Sequence, residues 1–264
     1  MDVYWMEQCE ADMPTDDDWL SPREAIFLRR LRFPKRRADW RLGRWTAKCL
    51  LADFLNTPRF PRILASIELR PSESGAPELF IKNKPHPFPI SLSHRAGIAV
   101  CAIAPSGSTL GCDLELIEPR SAGFLADYFT TEEQALIAQA SPADRVPLVT
   151  LLWSAKESVL KAVQSGLRTD TRSVSVNPCA AFQAPGSRDD RYKDCPREQA
   201  ADHDSKDWRP RECHCEGQSF HGWWSQNGSF IRTVVAAPPS AAPIVVAQRF
   251  VIRGDRDNVL SKAS

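Results

Sequence analysis

The chain has 264 residues, of which 42% are hydrophobic and 25% charged, enough for one large domain or two small halves around an apolar core. A formal net charge of +1 removes any whole-chain electrostatic case for a nucleic-acid or acidic-membrane binder. No apolar run approaches the roughly 18 residues needed to span a bilayer. The first residues, MDVYW, show no basic stretch leading into an apolar one, so no secretory signal is read and a cytoplasmic location is expected.

Val3–Met6 reads as a first strand. Ser21-Pro22-Arg23-Glu24 is a capping box with proline at the first helical position, which predicts a helix to about Leu31. A second helix is predicted over Ala38–Leu55. Along it Arg37, Arg41, Arg44 and Lys48 fall on one stripe, beside a mostly apolar stripe of Leu42, Trp45, Cys49 and Ala52. By periodicity alone that stripe is a solvated basic face. Short strands follow at Ile67–Leu69, Leu79–Ile81, Ile90–Leu92 and Ile98–Ile103, separated by Pro, Gly and Ser turns.

Leu110–Leu116 reads as a strand with Asp113 and Glu115 on one face and Cys112, Leu114 and Leu116 buried on the other. Two carboxylates side by side repel unless they are solvated or share a cation. Helix dominates from about Gly123 to Gln164, with Glu157 and Lys161 one turn apart, and Arg172–Val176 reads as a strand. Pro178–Glu216 is rich in Asp, Arg, Pro, Cys and Gln and nearly free of aliphatic residues, so it is expected to be a long mobile insertion. Ser219–Trp224 and Phe230–Ala236 form a predicted hairpin around Gln226-Asn227-Gly228, and Ile244–Ile252 a final strand. Cys9, Cys49, Cys101 and Cys112 read as reduced core residues. Cys213-His214-Cys215 fits no closed zinc spacing and reads as loop.

Three segments taken in order carry a family signature. They are Ser91-Leu92-Ser93-His94, then Gly111-Cys112-Asp113-Leu114-Glu115, then Trp153-Ser154-Ala155-Lys156-Glu157-Ser158-Val159-Leu160-Lys161. Together they resemble the 4′-phosphopantetheinyl transferase superfamily, in its larger monomeric, surfactin-synthetase-activating type. Tyr128-Phe129-Thr130-Thr131-Glu132-Glu133, Gly166-Leu167-Arg168 and Arg41-Leu42-Gly43-Arg44 are softer matches. The resemblance covers residues 1–177 and 217–252. Where the family often has Gly-Lys-Pro, this chain has Gly75-Ala76-Pro77, and Lys82 or Lys84 would have to substitute.

The resemblance implies an α+β fold of two pseudo-twofold-related halves, residues 1–106 and 107–264, with the active site between them. It implies an enzyme that moves the phosphopantetheinyl arm of coenzyme A to a serine of an acyl or peptidyl carrier protein, with Mg²⁺ as cofactor. Asp113, Glu115 and Glu157 would be at the metal, with Lys161 and Lys156 toward the phosphates. Ser93, His94, Arg44 and, with them, Arg37, Arg41 and Lys48 would contact coenzyme A, as would Asp113. Glu133 is the preferred base, with Glu132, or Glu157 through a bound water, as alternatives. Phe124–Phe129 and the helix after it are the candidate rim for the carrier. A monomer is expected. A non-catalytic coenzyme A or carrier-binding module and a metal-dependent phosphohydrolase are the alternative readings.

Overall fold

Ser21 Oγ accepts from the Glu24 amide, and the Glu24 carboxylate accepts from the Ser21 amide, so the capping box starts helix α1 (Pro22–Arg30) where the sequence places it. Helix α2 (Pro34–Phe54) begins four residues before the predicted Ala38, with proline at its first position. Proline has no N–H to leave unsatisfied and holds a helical φ, while the preceding Phe33 stays extended. The computed structural model describes residues 1–165, 168–177 and 208–246.

The described chain is α+β with three sheets. Strands β1 (Tyr4–Cys9), β2 (Ile67–Pro71), β3 (Pro77–Ile81), β4 (Lys84–His86), β5 (Ile90–Arg95) and β6 (Ile98–Ile103) belong to the first part, with a short helix α3 (Pro61–Leu64). The second part holds β7 (Thr109–Leu116), α4 (Ala122–Tyr128), α5 (Thr131–Gln139), α6 (Pro142–Ala162), β8 (Val174–Asn177), β9 (Arg209–Cys215), β10 (Gln218–Asn227), β11 (Phe230–Ala237) and β12 (Ile244–Val245). Sheet orders are β12-β1-β6-β5, β7-β11-β10-β9-β8 and β2-β3-β4. Only β1 with β12 is parallel among these pairs.

Each large sheet carries a long helix. On the first, α2 buries Ala47, Leu50 and Leu51 against Met6, Cys101 and Ile103. On the second, α6 lies so close to β7 that a Cβ built on Gly111 would fall 1.8 Å from the Ser158 carbonyl oxygen. Only glycine permits that approach, which explains the first residue of the Gly-x-Asp-x-Glu segment in packing terms. The two sheets meet along β5 and β7, where the Cys112 amide donates to Ser91 Oγ at 2.9 Å. A common apolar cluster of Trp5, Val100, Ala102, Leu110, Cys112, Leu114 and Val234 fills that seam.

The expected insertion is overturned at its end. Arg209–Cys215 forms β9, paired with both β8 and β10. Its Arg211, Cys213 and Cys215 are buried and its Glu212 and His214 exposed, a period-2 alternation hidden by polar composition. His214 therefore points away from the two cysteines, and its Nδ1 meets Ser219 Oγ at 3.0 Å. Leu116 is half-buried, whereas Cys112 and Leu114 on the same face are buried. The rest of the insertion (178–207), Gly166-Leu167 and residues 247–252 of the expected last strand lie outside the described residues.

Candidate active site

Alternation along β7 turns Asp113 and Glu115 to one side of the strand, where α6 presents Trp153, Glu157 and Lys161. Asp113 is 3% exposed and joins three elements. Its Oδ1 accepts from Lys161 Nζ on α6 at 2.8 Å and from Ser93 Oγ on β5 at 2.8 Å. Lys161 also donates to the Cys112 carbonyl at 3.1 Å, which fixes the ammonium over the strand. Asp113 Oδ2 is buried and has no hydrogen-bond partner. Glu115 accepts from Trp153 Nε1 at 3.2 Å and from Arg120 at 3.2 Å, with Arg95 Nε 3.8 Å away. Arg95 and Arg120 both also bind Glu118, closing a ring of two arginines and two carboxylates across the seam.

The electrostatics follow from this crowding. Burial, then the neighbouring Asp113 and Glu115 charges, push the Glu157 carboxyl up to about 7, against the pull of Lys161. Glu115 is raised by burial and Asp113, with Arg95 and Arg120 opposing. Burial works against the Lys161 ammonium, but its pairing with Asp113 wins and its pKa rises. The site thus holds a fixed cation among acids, one of which titrates near neutrality.

His94 follows Ser93 on β5 and faces the start of α2, where its Nδ1 lies 4.0 Å from Asp39 Oδ2. Burial lowers its pKa, with Asp39 opposing and Lys161 reinforcing. A cleft of about 520 Å³ is lined by Phe33, Lys35, Arg36, Asp39, Trp40 and His94. The first turn of a 21-residue helix leaves backbone N–H groups free, and Lys35 and Arg36 flank it, so this cleft suits a phosphate. Lys161 and Asp113 both act on His94, which lines the cleft.

Several expected contacts are corrected by their partners. Lys48 is fully buried, and its Nζ is taken by Glu24 at 2.6 Å and by the Trp19 and Leu64 carbonyls. Arg41 is spent on Asp17 and on the carbonyls of Pro14, Thr15 and Asp16. Arg44 lies over the Trp40 ring, 4.9 Å from its centroid, with Glu24 3.9 Å away. Among the described residues the cleft is lined by none of Arg37, Arg41, Arg44 and Lys48. Lys156 is fully buried, paired with Glu133 at 2.9 Å and bonded to the Thr171 and Val174 carbonyls, so it faces no ligand. Glu133 caps α5 by accepting from the Thr130 amide, and it also accepts from the Val176 amide. With Lys156 on it too, Glu133 has no free oxygen aimed at a substrate. Sequence reasoning missed Lys35, Arg36 and Trp40, which the early start at Pro34 places at the cleft, and the Arg95 and Arg120 bonds to Glu115.

Among the described residues, no group of three or more His, Cys, Asp and Glu side chains is gathered tightly enough to enclose a metal ion. A partial site is still chemically apt. Asp113 Oδ2 is a buried acceptor without a donor, and Glu157 beside it is raised by burial and then by like charges that a cation would offset. Mg²⁺ needs only one or two carboxylates when phosphates and waters complete its shell.

Residues 109–208 match the family model of the 4′-phosphopantetheinyl transferase superfamily. The matched stretch contains β7 and α6, hence Asp113, Glu115, Glu157 and Lys161. No curated protein matches the chain.

Proposed function

The chain carries a 4′-phosphopantetheinyl transferase superfamily domain at residues 109–208, and from that premise we propose that it transfers the phosphopantetheinyl arm of coenzyme A to a serine of an acyl or peptidyl carrier protein. The observation that carries this reading is Asp113. It is held by Ser93 of one sheet and Lys161 of the other helix, keeps one buried oxygen free, and through Ser93 is next in chain to the His94 that lines the cleft. We assign the protein to the larger type, in which two similar halves, divided near residue 106, flank the site within one chain.

In this reading the cleft takes an outlying phosphate of coenzyme A, against Lys35, Arg36 and His94. Lys161 lies between Asp113 and the diphosphate and holds it as a point charge. Asp113, Glu115 and Glu157 are the residues that would hold Mg²⁺. When bound, that ion neutralises the diphosphate and polarises the attacked phosphorus. Glu157, ionised once a cation offsets its acidic neighbours, takes the proton of the carrier serine through a bound water. The serine oxygen then bonds to the phosphorus nearer the pantetheine, the diphosphate P–O bond breaks, and adenosine 3′,5′-bisphosphate leaves with that bond's electron pair. Glu133 and Lys156 stay in the core as a structural pair.

Incubation with coenzyme A, Mg²⁺ and an apo carrier protein tests the proposal. Addition of one phosphopantetheinyl group to the carrier supports it. Bound coenzyme A with an unmodified carrier would instead indicate a binding module, and coenzyme A cleavage without the carrier a hydrolase.

A further inference from the structure

Arg211 on β9 is 2% exposed, and among the described residues its Nε, Nη1 and Nη2 have no hydrogen-bond partner. A guanidinium stays charged in a protein, and burying one unpaired is strongly unfavourable. Such a group persists where it serves a site. Strand register shows which site. Arg211 pairs with Gly222 of β10, Gly222 with Val235 of β11 and Val235 with Gly111 of β7, so they form one row across the sheet and point to one face. That face lies under α6, because a Cβ on Gly111 would meet the Ser158 carbonyl. A Cβ on Gly222 would fall 3.0 Å from Arg211 Nε, so the arginine leans over the glycine of the next strand, towards β11 and β7. Asp113, two residues along β7 from Gly111, stands in the next row of the same face, paired with Thr233. Thr233 Oγ1 meets Ser154 Oγ at 2.8 Å and Ser158 Oγ at 2.6 Å, and all three residues are fully buried. With water excluded from this layer, charges in it act on each other with little screening. Burial lowers the Arg211 pKa, with Cys213 and then Asp113 opposing.

We propose that Arg211 is a fixed positive charge behind the carboxylate cluster that favours the donor's diphosphate there over a bare divalent cation. This rests on the transferase reading above. Asp113, Glu115 and Glu157 crowd together, and the cations facing them are largely spent: Lys161 on Asp113, Arg95 and Arg120 on Glu115 and Glu118. So acidic a cluster attracts a free metal ion and repels an arriving diphosphate. A buried cation close by acts on the two in opposite senses, weakening the hold on free Mg²⁺ and strengthening the hold on the anion. Arg211 is covered by α6 and touches neither ligand, so it acts through space from the row beside Asp113. Its near neighbours do not cancel it. Burial pushes the Cys213 thiol up and keeps it protonated, and Glu133 is spent on Lys156.

Calorimetric titration of the full chain measures two affinities apart from turnover: Mg²⁺ without coenzyme A, and coenzyme A without Mg²⁺. Arg211→Met is expected to bind Mg²⁺ about fivefold more tightly than wild type and coenzyme A about fivefold more weakly. Arg211→Lys, which keeps a charge at that position, is expected to stay near wild type in both. Arg211→Met should melt at or above the wild-type temperature, since methionine fills much of the same space without a buried charge, and this reports that it folds. An arginine that only packs would move the two affinities in the same direction or leave both unchanged, and either result in a folded Arg211→Met overturns the proposal. Opposite shifts of the two affinities, with no transfer by wild type to an apo carrier protein, would leave the role of Arg211 standing and refute the transferase reading instead.

Discussion

Glu157→Gln isolates the electrostatic cost of assembling the site. The folded chain holds the Glu157 proton up to about pH 7, whereas an unperturbed glutamate releases it near 4.5. Because the folded pKa is the raised one, the favourable contribution is complete below about pH 4.5 and is lost progressively as pH climbs to about 7. At about 1.4 kcal/mol per unit, the ionised carboxylate destabilises the metal-free fold by about 3 kcal/mol at an assay pH of about 8 and by about 1 kcal/mol at about pH 5. Glutamine copies the protonated shape without the charge. Thermal unfolding without Mg²⁺ is therefore expected to show Glu157→Gln melting about 6–12 °C above wild type at the higher pH, with a much smaller gap at the lower pH. Transfer activity should be lost at both. A stability difference of equal size at the two pH values, or destabilisation at the higher one, would refute the raising of the Glu157 carboxyl by burial and its acidic neighbours.

Gly111→Ala places a methyl group 1.8 Å from the Ser158 carbonyl and must push α6 from β7, so a loss of about 3 kcal/mol or more by urea unfolding is expected, with transfer falling as Asp113 and Lys161 separate. Glu133→Ala leaves the buried Lys156 ammonium unpaired and is expected to cost about 3–5 kcal/mol of stability; Glu133→Ala/Lys156→Met should recover part of that cost and retain turnover, whereas abolished turnover in a folded double variant would restore Glu133 as the base. His94→Ala should raise the KM for coenzyme A about tenfold, the effect of one lost charge-assisted contact, and change that for dephospho-coenzyme A little; equal losses with both donors would remove His94 from the outlying phosphate.

The clustering of Asp113, Glu115, Glu157 and Lys161 was legible because it is local. Period-2 alternation puts Asp113 and Glu115 together, one helical turn joins Glu157 to Lys161, and the glycine two residues before Asp113 is the packing device that brings strand and helix into contact. The lysines were misread because a helical stripe does not reveal a partner distant in sequence. Lys48 meets Glu24 and Lys156 meets Glu133, each more than twenty positions away. In the second case a local clue existed: Thr130-x-x-Glu133 is a capping box, which occupies Glu133 in starting α5. Pro34 was likewise a helix-start signal, and moving the start there puts Lys35 and Arg36 opposite His94. β9 escaped notice because its alternation uses arginine and cysteine where a strand reading looks for Val and Ile.

The most direct test is the mass of an apo carrier protein after incubation with coenzyme A and Mg²⁺, run with wild type and with Asp113→Ala. The account predicts one phosphopantetheinyl addition to the carrier serine with wild type and none with a folded Asp113→Ala, because Asp113 is where Ser93 and Lys161 converge and where a free buried oxygen remains. A carrier left unmodified by wild type, or modified at the same rate by Asp113→Ala, would contradict it.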